Sequence, residues 1–226
     1  MSTQPQPWAL ILGASSGFGE ATSIELARAG MNIFGVHLDR RATLPHVEEI
    51  QSVIRALGRE AVFFNVNAVD EAKRQEVIAA ISDRCAAPAA PATVRVLLHS
   101  IAFGSLLPYV AAAGERVASK AQLEMTCDTM AHSLLYWVQD LVSQGLMTSG
   151  GRVYAMTSSG GSRQIPSYGP VSGAKALLES HIRQLALELA PFGITANAIR
   201  AGVTDTPSLR KIPGSDKLAE FAAMRN

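Results

Sequence analysis

The sequence has 226 residues, of which 48% are hydrophobic and 17% charged, so it can bury a large core and does not belong to the disordered class. Lys and Arg number 20 against 19 Asp and Glu, and the net charge of +1 provides no global field for nucleic acid. The first residues lack a signal-peptide pattern and no apolar run is long enough to cross a bilayer, so we expect a cytoplasmic protein without membrane partners. The spacing of Cys85 and Cys127 predicts reduced thiols and no metal site.

Short apolar runs alternate with segments of helical period along the chain, which is typical of β-strands joined by crossover helices. None of the runs alternates with polar residues, and this predicts strands buried on both faces of a parallel sheet. The predicted strands are Trp8–Leu12, Asn32–His37, Ala61–Asn65, Val94–His99, Arg152–Thr157 and residues 194–199. We predict a single α/β domain over residues 1–226 with a doubly wound parallel sheet, and a connecting loop over residues 85–93.

The first predicted strand is followed at once by Gly13-Ala-Ser-Ser-Gly17-Phe-Gly19 and then by a helix. Without Cβ atoms, the backbone of such a turn can approach a pyrophosphate, and the N–H groups and dipole at the helix start stabilise the anion. Strand, glycines and helix together predict a Rossmann-type dinucleotide-binding turn. The residues predicted to bind the cofactor here are Gly13, Ser15, Ser16, Gly17, Phe18 and Gly19.

Charged residues after the second predicted strand bear on the choice between NADH and NADPH. Asp39 lies about 20 residues past the glycine loop, where an acid accepts hydrogen bonds from the ribose hydroxyls of NADH. Arg40 and Arg41 follow immediately, and guanidinium groups pair well with the 2′-phosphate of NADPH. We predict that all three residues contact the cofactor. The arginine pair leads us to expect NADPH, with NADH as the alternative.

Three polar side chains follow the fifth predicted strand: Ser158 directly after it, then Tyr168 and Lys175 around the start of a helix near Pro170. Open α/β sheets bind ligands at the carboxyl ends of their strands, so we expect the hydroxyl, the phenol and the ammonium to converge there. A nearby ammonium favours the ionised form of Tyr168, and the phenol can donate to an oxygen that becomes negative when hydride arrives from nicotinamide. We therefore predict that Tyr168, Lys175 and Ser158 are catalytic.

The glycine spacing G-x-x-x-G-x-G resembles that of the short-chain dehydrogenase/reductase family, and the resemblance continues through nearly the whole chain. Ordinary members place the tyrosine four residues before the lysine, where this sequence has Val171. The wider Tyr-x6-Lys spacing of Tyr168 and Lys175 resembles the enoyl-acyl carrier protein reductase branch instead. The segment His99-Ser-Ile-Ala-Phe103, at the end of the fourth predicted strand, is also similar to that branch.

This resemblance implies further roles for individual residues. Asn67 takes the family position that meets the adenine ring, and Lys175 holds the nicotinamide ribose. His99 is expected to shape the nicotinamide pocket as a hydrogen-bonded residue at a strand end, in preference to acid–base chemistry. Ser158 falls where ketone-reducing relatives carry their catalytic serine, whereas the asparagine of their proton relay falls near Met130, so that relay is absent or rebuilt. Further cofactor contacts are implied for Ser100, Ile101, Ala102, Gly202, Thr204 and Thr206.

The resemblance also carries expectations for the end of the sequence. Residues 207–226 are expected to form a substrate lid. Family sheets continue with another helix and a terminal strand, which these 226 residues do not include, so we expect a sheet without that final strand. A homo-oligomer, either a dimer or a tetramer, is implied as well.

The activity implied by the resemblance is NAD(P)H-dependent reduction of the carbon–carbon double bond of an enoyl thioester, as in fatty acid synthesis. The acyl carrier protein is one carrier on which such a substrate is expected. In that reaction hydride passes to the β-carbon and Tyr168 donates a hydrogen bond to the developing enolate oxygen. Protonation of the α-carbon completes the reduction. The first alternative is a carbonyl reductase, such as a 3-ketoacyl reductase or an alcohol dehydrogenase, in which Ser158 orients the substrate oxygen. The second is an NAD(P)-binding sensor without turnover, since the relay asparagine is missing.

Overall fold

The computed structural model describes residues 7–86 and 92–224, so residues 87–91 of the predicted connecting loop lie outside the described residues. Its strands are β1 (Trp8–Leu12), β2 (Asn32–His37), β3 (Ala61–Asn65), β4 (Val94–His99), β5 (Arg152–Thr157) and β6 (Thr195–Arg200). All neighbours pair in parallel, in the order β3-β2-β1-β4-β5-β6. This is the order of a doubly wound, Rossmann-like sheet, so the predicted fold class is confirmed.

Helices lie on both faces of this sheet. They are α1 (Gly17–Arg28), α2 (Leu44–Ala56), α3 (Glu71–Cys85), α4 (Lys120–Cys127), α5 (Ser133–Ser143), α6 (Gly169–Leu189) and α7 (Ser215–Ala223). A wide, π-type turn over Asp128–His132 joins α4 to α5. Two helix starts are capped by side chains: Asp70 accepts from the Lys73 N–H at 3.0 Å, and Ser119 forms a capping box with Gln122.

Alternate side chains of the strands enter two cores, one on each face of the sheet. The larger core packs α3, α5 and α6 against the sheet, with buried Leu10, Leu12, Phe34, Leu97, Val153, Ile78, Trp137, Leu141, Leu178 and Leu185. The smaller core packs α1 and α2 with Ile11, Ile33, Leu98, Ala27, Ile50 and Ile54. Burial of each large aliphatic side chain contributes roughly 1.5–3 kcal/mol, so these two layers hold the strand ends in place.

The strand β6 differs from the prediction of a strand buried on both faces. Ala196 is its only buried residue, and Ala61 is the only buried residue of β3, whereas every residue of β1 and β2 is buried. The reason is position, because β6 and β3 are the edge strands of the described sheet and pair on one side only. The strand also begins one residue later than predicted, at Thr195.

The described residues contain neither a membrane-spanning helix nor a cluster of metal ligands. None of the helices described here has the length and apolar content that a bilayer crossing requires. Across residues 7–86 and 92–224, the His, Cys, Asp and Glu side chains form no group of three or more that could hold a metal ion. Cys85 and Cys127 are free thiols, and burial raises the pKa of both.

Candidate active site

A cavity opens at the carboxyl ends of β1, β4, β5 and β6. Leu12 pairs with His99, and His99 with Ala155, so the loops after three neighbouring strands begin side by side. The cavity is lined by the predicted residues Ser16, Gly17, Phe18, Ser100, Ile101, Ala102, Ser158, Tyr168, Lys175, Gly202, Thr204 and Thr206. The remaining predicted residues, Gly13, Ser15, Gly19, Asp39, Arg40, Arg41 and Asn67, lie outside this lining. The fold thus gathers most of the predicted site at the switch point between β1 and β4.

The glycine loop is a tight backbone turn that leaves no room for a side chain at Gly13 or Gly19. Gly13 has a φ of +89°, and a Cβ added there would lie 2.5 Å from the Ser100 carbonyl oxygen. A Cβ on Gly19 would overlap the Gly13 carbonyl oxygen. Ser16 caps α1 without a side-chain hydrogen bond to the helix N–H groups. This turn at a helix N-terminus fits a pyrophosphate, because no side chain of the described residues caps the first N–H groups of α1 and they can donate to an anion.

At the end of β2, the Asp39 carboxylate is held by three side chains. Thr43 Oγ1 donates to Asp39 Oδ1 at 2.7 Å, His37 Nδ1 lies 3.0 Å from Oδ2, and the Ser15 hydroxyl is the third partner. The Asn65 amide fixes the Asp39 backbone, accepting from its N–H at 2.9 Å and donating to its carbonyl at 3.0 Å. Burial pushes the pKa of Asp39 up, but the three side-chain bonds outweigh burial and lower it. An ionised carboxylate therefore faces the glycine loop.

The other residues predicted to meet the adenosine half of the cofactor are less constrained. Arg40 and Arg41 are exposed directly after β2. Asn67 Oδ1 accepts from the Val69 N–H at 3.3 Å, which is an Asx turn. Their contacts with a cofactor stay predictions.

The phenol of Tyr168 points into the protein, where its side chain is 7% exposed. Its ring packs so closely on Gly160 that a Cβ there would lie 2.5 Å from Tyr168 Cε1. The hydroxyl bonds to the side chain of Ser158, whose Oγ also accepts from the Gly160 N–H at 3.1 Å. Ser167, directly before it, has a φ of +59°, the only positive φ of a non-glycine residue in the described ranges. This left-handed residue turns the chain so that the phenol enters the cavity.

Protonation of the two buried catalytic candidates follows from desolvation. Burial raises the pKa of Tyr168, and the Ser158 hydrogen bond offsets this only in part, so the expected lowering by Lys175 is not found. The Lys175 ammonium instead donates to the Met156 carbonyl at 2.7 Å, with a longer contact of 3.5 Å to the Ile101 carbonyl. Burial lowers the pKa of Lys175 to about 8. At neutral pH the site holds an uncharged phenol and an ammonium.

Five apolar residues form one side of the cavity, and we refer to Leu106, Met130, Ile165, Val171 and Ile212 as the apolar wall. Met130 is 1% exposed and belongs to the same buried cluster as Tyr168. It is the residue near which the family resemblance led us to expect the relay position of ketone reductases. The sequence did not predict Leu106 or Ile165 as lining residues, because they come from loops without a motif. Ile212 was expected only as part of the predicted lid.

The start of the predicted lid crosses this cavity. Leu209 and Ile212 line it, and Thr206 Oγ1 accepts from the Leu209 N–H at 3.2 Å. Thr206 also lies against the glycine loop, because a Cβ added to Gly17 would be 3.3 Å from Thr206 Cγ2. The start of the predicted lid therefore borders the cavity and contributes Ile212 to the apolar wall. Residues 225–226 of the predicted lid lie outside the described residues.

Solved structures with this fold include two that cover nearly the whole chain. Enoyl-[acyl-carrier-protein] reductase (NADH) from Aquifex aeolicus VF5 superposes with a TM-score of 0.76 at 22% identity, covering 97% of this chain and 81% of that one. A short-chain dehydrogenase/reductase from Burkholderia xenovorans gives 0.77 at 20% identity, covering 100% and 83%. At these identities the likeness concerns the fold.

Two curated relatives add sequence similarity. The 1-cyclohexenylcarbonyl-CoA reductase of Streptomyces collinus is 45% identical over 64 residues, which cover 28% of this chain and 23% of that enzyme. The very-long-chain 3-oxoacyl-CoA reductase of Aspergillus fumigatus is 28% identical over 196 residues, or 86% of this chain and 52% of that enzyme. The chain thus spans about half or less of the length of these relatives. The model of the family described as Enoyl-(Acyl carrier protein) reductase matches residues 13–226, and the chain therefore belongs to that family, within the short-chain dehydrogenases/reductases.

Proposed function

We propose that this chain is an NAD(P)H-dependent oxidoreductase that reduces the carbon–carbon double bond of an enoyl thioester. The observation that carries the proposal is the uncharged, buried phenol of Tyr168 beside the apolar wall. A phenol that keeps its proton at neutral pH can donate a hydrogen bond to a developing enolate oxygen. The apolar wall suits the hydrocarbon part of an acyl substrate.

The chain's own residues then divide the work at the site. A bound nicotinamide cofactor supplies hydride for the reduction. Tyr168 donates a hydrogen bond to the substrate oxygen, and Ser158 holds the phenol in place. A proton from water then reaches the α-carbon and completes the reduction. Lys175 has a third N–H beyond those facing Met156 and Ile101, and this donor would hold the nicotinamide ribose. Residues proposed to hold the rest of the cofactor are Gly13, Ser15, Ser16, Gly17, Phe18, Gly19, Asn67, Ser100, Ile101, Ala102, Gly202, Thr204 and Thr206.

For the cofactor, the geometry at Asp39 supports NADH, against the expectation of NADPH drawn from Arg40 and Arg41. The carboxylate is ionised and hydrogen-bonded to Ser15 of the glycine loop. A 2′-phosphate placed beside it would meet a like charge, whereas ribose hydroxyls would find an acceptor. We propose that NADH is preferred and that NADPH is the weaker cofactor.

Reduction of a 3-ketoacyl thioester is the second candidate, and one contact favours it. Ser158 bonds to Tyr168, and a serine beside the phenol could equally orient a ketone oxygen. The Aspergillus fumigatus relative is named for that chemistry. The apolar Met130 beside the phenol favours the enoyl reaction, because it provides no path for resupplying a proton to Tyr168.

The test follows the oxidation of NADH and of NADPH with a crotonyl thioester, with an acetoacetyl thioester and with no substrate. We expect the crotonyl thioester to be preferred. The Tyr168→Phe variant should lose about 10²–10³-fold in kcat, the scale for removing one transition-state donor, while binding NADH as the wild type does. Preference for the ketone would select the second candidate, and cofactor binding without oxidation of either substrate would indicate a sensor.

The proposal includes the partners of the reaction. The substrate is an acyl thioester carried on coenzyme A or on an acyl carrier protein, and the enzyme works in the cytoplasm as a homo-oligomer. Light scattering of the purified protein distinguishes a dimer or tetramer from a monomer. Rates with the same acyl group on both carriers identify the preferred one.

A further inference from the structure

His99, at the end of β4, is a buried polar group that the proposed reaction does not use. Its side chain is fully buried, and Nε2 lies 2.8 Å from Ser133 Oγ. Nδ1 has no hydrogen-bond partner among the residues that the structure describes. A buried imidazole with one unpaired nitrogen costs folding free energy, so its presence calls for a physical reason.

The neighbouring hydrogen bond fixes the tautomer of this ring. Ser133 Oγ donates to the Thr129 carbonyl at 2.7 Å. Because a carbonyl only accepts and a hydroxyl has one hydrogen, His99 Nε2 carries the hydrogen that it donates to Ser133 Oγ. Nδ1 then carries a lone pair and the ring is neutral. Burial and the charge of Lys175 lower the pKa of His99 to about 3, which agrees with a neutral ring.

This chain of hydrogen bonds ends in the wide turn between α4 and α5. The Ser133 N–H donates to the carbonyl of Asp128, five residues back. In a regular α-helix it would donate to the carbonyl of Thr129, four residues back. The Ser133 hydroxyl supplies a donor to the Thr129 carbonyl within the same turn. Such π-type turns are rare and frequently occur at functional sites. His99 thus ties the end of β4 to an irregular helical turn.

Met130 lies inside this turn and connects it to the catalytic candidate. Its side chain belongs to the same buried cluster as Tyr168 and lines the same cavity, and its Sδ would lie 2.9 Å from a Cβ added to Gly104. A return to regular α-helix shifts the side chains by one residue, which is a rotation of about 100° around the helix axis. Such a rotation would take Met130 away from the phenol.

We infer that His99 and Ser133 are positioning residues: their hydrogen-bond chain to Thr129 holds the wide turn, and through Met130 it holds the Tyr168 phenol against Ser158. Neither residue touches the reacting atoms. The inference rests on the proposed function, in which the position of that phenol sets the rate.

Two substitutions at one position test the inference. Ser133→Ala removes both bonds of the hydroxyl, and we expect kcat to fall on the order of 10- to 100-fold with the KM for NADH nearly unchanged, because the phenol is displaced. Ser133→Thr keeps a hydroxyl and should restore most of the rate. Ser52→Ala is the matched control, since Ser52 Oγ makes the same kind of bond to the Glu48 carbonyl at 2.8 Å on the exposed α2. Equal rates for Ser133→Ala and Ser52→Ala would overturn the inference.

A measurement that needs no turnover separates this inference from the proposed function. In nitrogen-15 spectra of labelled histidine, His99 should show hydrogen on Nε2, none on Nδ1, and no titration between about pH 5 and 8. The carbon-13 resonance of the Tyr168 phenol should shift in Ser133→Ala and not in Ser52→Ala. Hydrogen on Nδ1, or an unmoved Tyr168 resonance, would overturn the inference even if the enzyme is active.

If the wild type reduces neither thioester, the proposed function fails. The same spectra still test whether Ser133 positions Tyr168, because they need no turnover. If Ser133→Ala does not fold, His99→Gln replaces it, because glutamine keeps an N–H donor. We then expect a smaller loss of kcat than in His99→Leu, which keeps none. Equal losses in the two His99 variants would contradict a role for the hydrogen bond.

Discussion

The two ends of the candidate cofactor site are polar for different physical reasons. At the end of β2, Asp39 is partly exposed, and hydrogen bonds from neighbouring side chains lower its pKa and keep it charged. At β5 and α6, Tyr168 and Lys175 are 7% and 5% exposed, and burial shifts both pKa values toward the uncharged form. The difference indicates that recognition at the first end depends on a fixed charge, whereas chemistry at the second depends on desolvation.

The glycine loop, between the two ends, depends on backbone shape alone, and its alteration should have the largest effect on stability. Gly13→Ala combines a left-handed φ with an overlap of the Ser100 carbonyl, so we expect a loss of about 3 kcal/mol in the free energy of unfolding, together with loss of NADH binding. Gly30→Ala is the control, since its φ is +99° with nothing within 4 Å, and it should lose about 1–2 kcal/mol and bind NADH normally. Urea unfolding and fluorescence titration measure both. Similar losses in the two variants would show that the overlap is unimportant.

At the buried end, Lys175→Met should stabilise the protein while abolishing turnover. Burial lowers the pKa of Lys175 from 10.5 to about 8, so the unfolded chain binds more protons between these values and this group makes stability rise with pH across that window. We expect the variant to gain about 2 kcal/mol at pH 7 and to lose that rise. Unfolding curves from pH 7 to pH 10 measure both effects. An unchanged pH dependence would mean that Lys175 is not desolvated.

At the exposed end, Asp39→Asn should change cofactor choice without changing the chemistry. Removing the negative charge should raise the ratio of NADPH to NADH in kcat/KM by about 10-fold, which corresponds to about 1.4 kcal/mol. Thr43→Val is the control, because it removes one hydrogen bond to the carboxylate and leaves the charge. If the wild type already prefers NADPH and Asp39→Asn leaves that ratio unchanged, Arg40 and Arg41 determine the choice of cofactor.

The smallest expected effect concerns the turn that aims the phenol. Ser167 has a φ of +59°, a conformation in which glycine carries no steric penalty, so Ser167→Gly should gain about 0.5 kcal/mol after the entropic cost of glycine is subtracted. Ser162→Gly, at a φ of −127°, should lose a similar amount. Thermal unfolding measures both variants. A loss in Ser167→Gly would show that the left-handed turn carries no strain.

Sequence reasoning reached much of the fold because the relevant patterns are local. Five of the six strands have the predicted bounds, and the sixth is displaced by one residue. The exposure of β6 did not follow from its apolar pattern, since it depends on which strands end at the sheet edge, and only the expected absence of a final strand pointed to it. The meeting of Ser158 with Tyr168 was expected, but the contact of Tyr168 with Gly160 and the hydrogen bond from Lys175 to Met156 were not, because they form only when β5 and α6 pack together.

The sequence by itself determined the order of strands and helices, the glycine turn and the Tyr-x6-Lys spacing, because each depends on residues close together in the chain. Only the tertiary structure decided that the phenol stays protonated, that Asp39 faces the glycine loop and that His99 ties β4 to a wide helical turn. Those properties depend on desolvation and on hydrogen bonds between residues far apart in sequence. Desolvation and these hydrogen bonds arise only after the helices have packed on the sheet.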